Sequence, residues 1–398
     1  MKILQISYRV PYPLKDGGTI GIYNYTKGYH DLGHEVTLLA MNTTRHYVNE
    51  NELPKSFTSL ADLRLVSVDN IVKKEDAFLN LFTSKSYNIQ RFISPAFEDE
   101  LVDILEAQQF DVIHFDGLYS SPYLPTVKAY SKAKTIMRAH NVEHVIWQRL
   151  AKNSEGFLKK QYLQLLARRL KKYEEQVINK FDAIIAITEE DKSLLQQLGC
   201  ATKIMVSPAG IDINSYIPDR STTEWPSLFH IGALDWMPNR EGLMKFITEE
   251  WSAINAKFPD LKFYIAGRNM PQWMKEWKYP NVILVGEVED AIKFINSKSI
   301  MIVPLYSGGG MRIKIIEGMA LKKTIISTAL GAEGIPYTDG KNILIAKEKG
   351  DMLKCISKCM YDKKFAENLG EEGRRFAEQH FDNKNVLSTL IKFYQSEL

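Results

Sequence analysis

Several common features are scarce or missing from this chain. Its 398 residues hold three cysteines, Cys200, Cys355 and Cys359, too few and too badly spaced for a disulfide framework. Cys355 and Cys359 lie four apart in a helical pattern without a nearby Cys/His pair, which argues against a zinc site. A reducing, cytoplasmic setting is expected. Apolar runs stay short of the ~18 residues of a transmembrane helix, and the opening stretch, Met1-Lys2-Ile3-Leu4-Gln5-Ile6-Ser7, turns polar too soon for a signal peptide. Any membrane contact is therefore expected to be peripheral. Net charge is scarce too: 51 Lys and Arg against 48 Asp and Glu leave +3, so no bulk attraction to nucleic acid is implied. No period of ~20–50 residues recurs, which excludes a solenoid.

What is present suits a globular α/β protein. At roughly 100–200 residues per domain, the length implies two domains. Strand-like apolar runs at residues 3–7, 36–40, 112–115, 135–138 and 183–187 alternate with helical stretches. One of these is a helix at 19–32 stopped by Gly33, and another is a Lys/Arg-rich helix at 156–180. Such alternation argues for a parallel sheet covered on both faces. A Pro/Ser/Thr-rich stretch at 206–227 reads as a linker. A second alternating series follows, with strands at 228–231, 262–266, 282–285, 299–304 and 324–327 and helices from about Arg240 and Met311. The expected organisation is a first Rossmann-like domain over 1–205, the linker over 206–227, a second over 228–380 and a terminal helix over 381–398. In such sheets ligands bind off the carboxyl ends of the strands, and two facing domains would make a cleft.

Three loops carry residues suited to chemistry. The first runs from Tyr8 to Thr19 and contains Gly17-Gly18 between a strand end and a helix start. Paired glycines let a ligand approach the backbone, and helix-start amides favour an anion; a plain tight turn would use them as well. The second is Arg138-Ala139-His140-Asn141-Val142-Glu143-His144, where His140 and Asn141 stand at a strand mouth. Histidine there offers a donor and an acceptor near neutral pH, while Glu143 could simply cap the next helix. The third, Pro304 to Ala320, places Gly308-Gly309-Gly310 before a helix that opens with Arg312 and Lys314. Cations are unfavourable at that end of the helix dipole, and a bound anion reverses the cost. Open amides with Arg312 and Lys314 describe a diphosphate cradle. Glu317, on the same helix face as Lys314, could bind both hydroxyls of a ribose or form a surface pair with the lysine.

In order along the chain, these motifs resemble the retaining glycosyltransferases of family four, which have the two-Rossmann-domain (GT-B) fold. Pro11-Tyr12-Pro13 with Gly17-Gly18 resembles their donor-phosphate loop, and Arg138–Glu143 resembles the segment whose histidine reaches the donor sugar. Ser207-Pro208-Ala209-Gly210-Ile211-Asp212 is similar to their interdomain turn. Residues 229–239, with Gly232 and Asn239, look like the opening of their second domain. Gly286-Glu287-Val288-Glu289-Asp290 resembles the loop that meets the base, and Glu317-Gly318-Met319-Ala320 resembles the end of their Glu-x7-Glu element. Two departures stand out. The first glutamate of that element falls at Gly309, and the Arg and Lys of the second domain's glycine-rich loop fall at Ala233 and Pro238. The resemblance also implies that residues 381–398 cross back to the first domain.

The implied function is transfer of a sugar from a nucleotide-diphosphate-sugar co-substrate to a glycan, lipid-linked saccharide or small molecule, with retained configuration. His140, Arg312 and Lys314 are the expected catalytic groups. Gly17, Gly18, Asn141, Gly232, Asn239, Val288, Gly308, Gly309, Gly310 and Glu317 are the expected donor contacts. No cofactor and no metal are expected, since no Asp-x-Asp pair stands in a cleft loop and two cations can replace a divalent ion. A sugar-nucleotide 2-epimerase or a non-catalytic nucleotide-sugar binder are the alternatives. Residues 158–172, with Lys159, Lys160, Arg168, Arg169, Lys171 and Lys172 among leucines, could lie on an anionic membrane or simply pack on their own domain.

Overall fold

The computed structural model describes residues 1–14 and 16–398; Lys15, inside the first loop, lies outside the described residues. The chain forms two compact units, Met1–Gly210 with Asn383–Leu398, and Ile211–Asp382, each with its own parallel sheet and core.

In the first unit the strands are β1 (Lys2–Ser7), β2 (Glu35–Thr43), β3 (Asp62–Val68), β4 (Val112–Asp116), β5 (Lys134–Ala139), β6 (Ala183–Ala186) and β7 (Lys203–Val206), in the order β3-β2-β1-β4-β5-β6-β7. All pairings are parallel. β1 and β4 are buried along nearly their whole length, as continuous apolar strands must be when helices cover both faces. The helices that matter below are α1 (Gly17–Asp31), α2 (Lys74–Asn80), α3 (Glu143–Lys152) and α4 (Phe157–Val177). Leu163, Leu166 and Leu170 of α4 are buried, and Arg169 donates to the carbonyl and side-chain oxygens of Asn80 at 2.9 and 2.8 Å. The apolar stripe expected to lie along 158–172 therefore faces its own unit beyond the first turn.

The second unit contains β8 (Ser227–Ile231), β9 (Lys262–Ala266), β10 (Val282–Gly286), β11 (Ile300–Val303), β12 (Thr324–Thr328) and β13 (Leu344–Ala346), ordered β10-β9-β8-β11-β12-β13 and again parallel. Its key helices are α5 (Met237–Phe246) and α6 (Ile313–Ala320). The last helix, α7 (Asn383–Glu397), belongs to the first unit. It buries Val386, Leu387, Leu390, Ile391 and Tyr394 at helical spacing against Ile3, Tyr25 and Tyr29. Gly28 on α1 permits that approach, because a Cβ there would meet Leu387 Cγ at 2.7 Å. Among the described residues no helix is long and apolar enough to cross a membrane.

Three strands are absent from the sequence-based reading: β3, β7 and β13. Each ends a sheet. β3 is largely half-exposed, β7 is four residues long and β13 three. Edge strands of this kind lack the buried run that marks a central strand.

Candidate active site

In each sheet the strand order reverses at one pair, β1 with β4 in the first unit and β8 with β11 in the second. Loops leaving such a switch point diverge and open a crevice, the general ligand position of doubly wound sheets.

In the first unit the centre of that position is Asp116, the last residue of β4. This buried carboxylate accepts a hydrogen bond from Gln5 Nε2 at 2.6 Å and lies 3.1 Å from His140 Nε2 and 3.5 Å from Arg138 Nη1. His114 Nε2 stands 3.5 Å away. Burial alone would raise the pKa of Asp116, but the two histidines hold it well below the usual carboxylate range. A proton on His140 Nε2 directed at Asp116 leaves Nδ1 as an acceptor. Burial, reinforced by Arg138, pushes the pKa of His140 down to about 4. His140 is therefore neutral at pH 7 and suited to orienting a hydroxyl rather than donating a proton. Arg138 lies 4.0 Å from the centroid of the Tyr25 ring. His114 Nδ1 meets Tyr29 Oη at 3.0 Å and Tyr394 Oη of α7 at 3.2 Å. A continuous polar chain thus links the C-terminal helix to His140.

The Gly17-Gly18 turn differs from the expected open cradle. Asp16 caps α1, its Oδ1 accepting from the amides of Gly18 and Thr19 at 3.0 Å each, and it also pairs with Arg9. A carboxylate at the N-cap supplies the negative charge that a helix start favours, so an anion reaches these two amides only by displacing Asp16. Asn141 hydrogen-bonds Glu143, which accepts from Tyr119 Oη at 2.8 Å and whose pKa burial pushes up to about 7. Glu143 does not cap α3. Its own amide and that of His144 donate to Glu174 of α4 at 2.9 and 3.1 Å.

In the second unit the loop after β11 passes through Gly308 and Gly310 at φ 93° and 84°, left-handed backbone that favours glycine. Arg312, at the N-cap of α6, donates from Nη1 to the carbonyls of Gly309 and Gly310 and lies 5.2 Å from the Trp236 ring centroid. It therefore shapes the loop as well as adding charge. Lys314 Nζ donates to Asn239 Oδ1 at 2.9 Å and lies 3.3 Å from His230 Nε2. Asn239 is oriented by its own donation to the Ala233 carbonyl at 2.8 Å. His230 Nδ1 lies 2.9 Å from the Ile302 carbonyl; a proton there leaves Nε2 as an acceptor facing the lysine. Gly232 makes the space: a Cβ would stand 3.1 Å from Nζ. Burial, with Arg312 nearby, pushes the pKa of Lys314 down to about 7. Glu317 accepts from Tyr216 Oη at 2.9 Å, so it and Lys314 engage different partners rather than forming a surface pair. Burial raises its carboxyl pKa. Glu317 also walls a cavity of about 380 Å³ with Tyr216, Glu289, Asp290, Ile292 and Ile295. Val288, half-buried in the loop after β10, is not part of that wall. Among the described residues no three His, Cys, Asp or Glu side chains gather as a metal-holding group.

Asp116, His230, Tyr216, Arg9 and Asp16 have no role in the sequence-based reading. Asp116 and His230 sit in central strands. The signal available for Asp116 is its position: an acidic residue closing a mostly apolar strand needs a buried partner.

Residues 15–215 match the family model described as Glycosyltransferase Family 4, and residues 226–362 match the one described as Glycosyl transferases group 1. The chain belongs to the GT-B glycosyltransferases. It is 23% identical to an uncharacterized 44.6 kDa protein in the cps region of Klebsiella pneumoniae, over 98% of this chain and 99% of that one. It is 29% identical to the capsular polysaccharide biosynthesis glycosyltransferase CapM of Staphylococcus aureus, over 30% of this chain and 32% of CapM. Among solved structures, sucrose-phosphate synthase from Thermosynechococcus elongatus superimposes with a TM-score of 0.73 at 15% identity, covering 99% of this chain and 98% of that one. Anabaena HepE in complex with UDP gives 0.67 at 14% identity, with both chains fully covered.

Proposed function

We propose that this glycosyltransferase is a retaining, metal-independent enzyme of family four that moves a sugar from a nucleoside-diphosphate donor to a saccharide or lipid-linked acceptor during polysaccharide synthesis. The observation that carries the reading is Lys314, a half-buried cation held by neutral acceptors beside the glycine loop at the second switch point. In the reaction the anomeric C–O bond to the β-phosphate breaks, and negative charge grows on the leaving diphosphate. Lys314, Arg312 and the amides at the start of α6 would stabilise that charge as fixed donors. The acceptor oxygen bonds to the anomeric carbon from the face the diphosphate leaves, and its proton passes to the departing phosphate oxygen. Glu317 is assigned to the ribose and His140, through Nδ1, to a sugar hydroxyl. HepE, solved with UDP, supports a nucleotide donor, and CapM, a capsular polysaccharide biosynthesis glycosyltransferase, supports a polysaccharide product. Gly309, in place of the family's first glutamate, favours a second reading as a non-catalytic nucleotide-sugar binder. Incubation with labelled donors and an acceptor extract separates the two. The expected result is a transferred sugar with the donor's anomeric configuration, formed equally well in excess EDTA. An inverted product, or EDTA inactivation reversed by Mg²⁺ or Mn²⁺, overturns the mechanism.

A further inference from the structure

Eleven of the twenty-one large apolar residues exposed among the described residues fall in two short stretches of the first unit, 71–93 and 146–160. The two stretches meet in space. Ala77 of α2 packs in one apolar cluster with Ala151 of α3 and Leu163 of α4, and Arg169 of α4 ties down the carbonyls of Asn80 and Leu81. With α2 seated in this way, Phe78, Leu79 and Phe82 remain on the outside, as do Phe157 and Leu158 in the first turn of α4. All five are 61–83% exposed. The Phe78 and Phe82 rings touch each other at 5.5 Å between centroids. The same two stretches hold eight Lys and Arg residues against three carboxylates, Glu75, Asp76 and Glu155, a local excess larger than the +3 of the whole chain.

We propose that this corner of the first unit docks on an anionic phospholipid surface, with Phe78, Phe82, Phe157 and Leu158 entering the headgroup–acyl boundary and Lys74, Lys159 and Lys160 meeting lipid phosphates, while Lys73 is paired with Asp69 at 2.9 Å. Apolar side chains protruding among cations are what such a surface binds, because insertion and electrostatic attraction add. A second copy of the chain fits less well, since it would set two patches of like charge against each other. The inner helix face takes no part, because Leu163, Leu166 and Leu170 are already buried. Docking is independent of sugar transfer, and its test needs no activity.

The full chain is sedimented with vesicles of phosphatidylglycerol and phosphatidylcholine, and with phosphatidylcholine alone. Binding to the anionic vesicles at low salt is expected, at least ~10-fold stronger than to neutral ones and lost at high salt. Phe82→Ser with Phe157→Ser should weaken it at least ~10-fold, and Lys159→Ala and Lys160→Ala by about fivefold each, all with unchanged circular dichroism. The proposal fails if the folded wild-type chain does not bind at low salt, or binds neutral vesicles equally well. It also fails if the phenylalanine substitutions instead dissolve a dimer in sedimentation velocity.

Discussion

The two units place polar groups at the same topological position and balance them in opposite ways. At the first switch point positive charge meets carboxylate: Arg138 faces Asp116, which the neutral His140 also contacts, and Arg9 faces Asp16. At the second, Lys314 meets His230 and Asn239, both neutral, while the nearest acid, Glu317, turns to Tyr216. A cation already paired with a carboxylate has little attraction left for a phosphate. One held by neutral acceptors keeps its charge available. On the proposed reading, the first unit orients groups and the second receives the donor diphosphate.

Removing the acid from each site should give unequal losses. Asp116→Ala leaves Arg138 buried without its carboxylate, and breaking a buried pair from one side costs about 3–5 kcal/mol. Glu317→Ala removes a half-buried acid whose partner is a tyrosine hydroxyl, a loss of about 1 kcal/mol. Urea unfolding of both variants reads the contrast. Equal losses would mean that the two sites are balanced alike.

The charge at Lys314 is tested by kinetics and by pH. Lys314→Ala should lower kcat about 10²–10³-fold, the usual effect of losing one donor to a developing negative charge. Glu317→Gln, touching a part of the donor that does not change, should chiefly raise the donor KM. Since the pKa of Lys314 lies near 7 in the free protein, the side chain is mostly neutral at pH 8. A bound diphosphate raises that pKa, so donor binding at pH 8 takes up a proton. Calorimetry in buffers of different ionisation enthalpy measures this uptake, and Lys314→Met should abolish it. The linkage to stability has a definite sign. The folded pKa lies below that of an ordinary lysine, so the unfolded chain binds the extra proton between about pH 7 and 10. Stability therefore gains from this group as pH rises through 7, and Lys314→Met removes that gain. A binding enthalpy that is the same in every buffer would show that no proton is taken up and that Lys314 does not change its charge on donor binding.

Much of this was legible in the sequence, for reasons that can be traced to particular residues. Central strands such as β1 and β4 show as apolar runs because both of their faces are covered. The glycine loop before α6 shows because three glycines beside two cations make poor structure without a ligand. Asp116 did not show, because its meaning depends on β4 lying next to β1, and strand order is not written in any local pattern. His230 is similar: it reads as one polar residue in an apolar strand until α6 brings Lys314 to it. Asp16 was in plain view as an N-cap residue, with Thr19 three positions on completing a capping box. Reading the glycines as an anion site passed over the anion that the chain itself supplies.

That internal anion gives the finest test of the comparison. Asp16→Ala removes the cap of α1, which costs about 1 kcal/mol, and releases Arg9 together with the amides of Gly18 and Thr19. If Asp16 merely occupies a site that a donor phosphate could also use, the substitution lowers thermal stability slightly while UDP binds severalfold more tightly, because no carboxylate has to be displaced. Asp16→Asn, which can keep both amide contacts without the charge, should lie between the two in each measurement. Isothermal titration with UDP decides the matter. If Asp16→Ala instead weakens UDP binding at least ~10-fold while α1 stays folded, Asp16 and Arg9 act together on the donor. The first switch point would then share in binding the nucleotide, and the division of labour between the units would have to be redrawn.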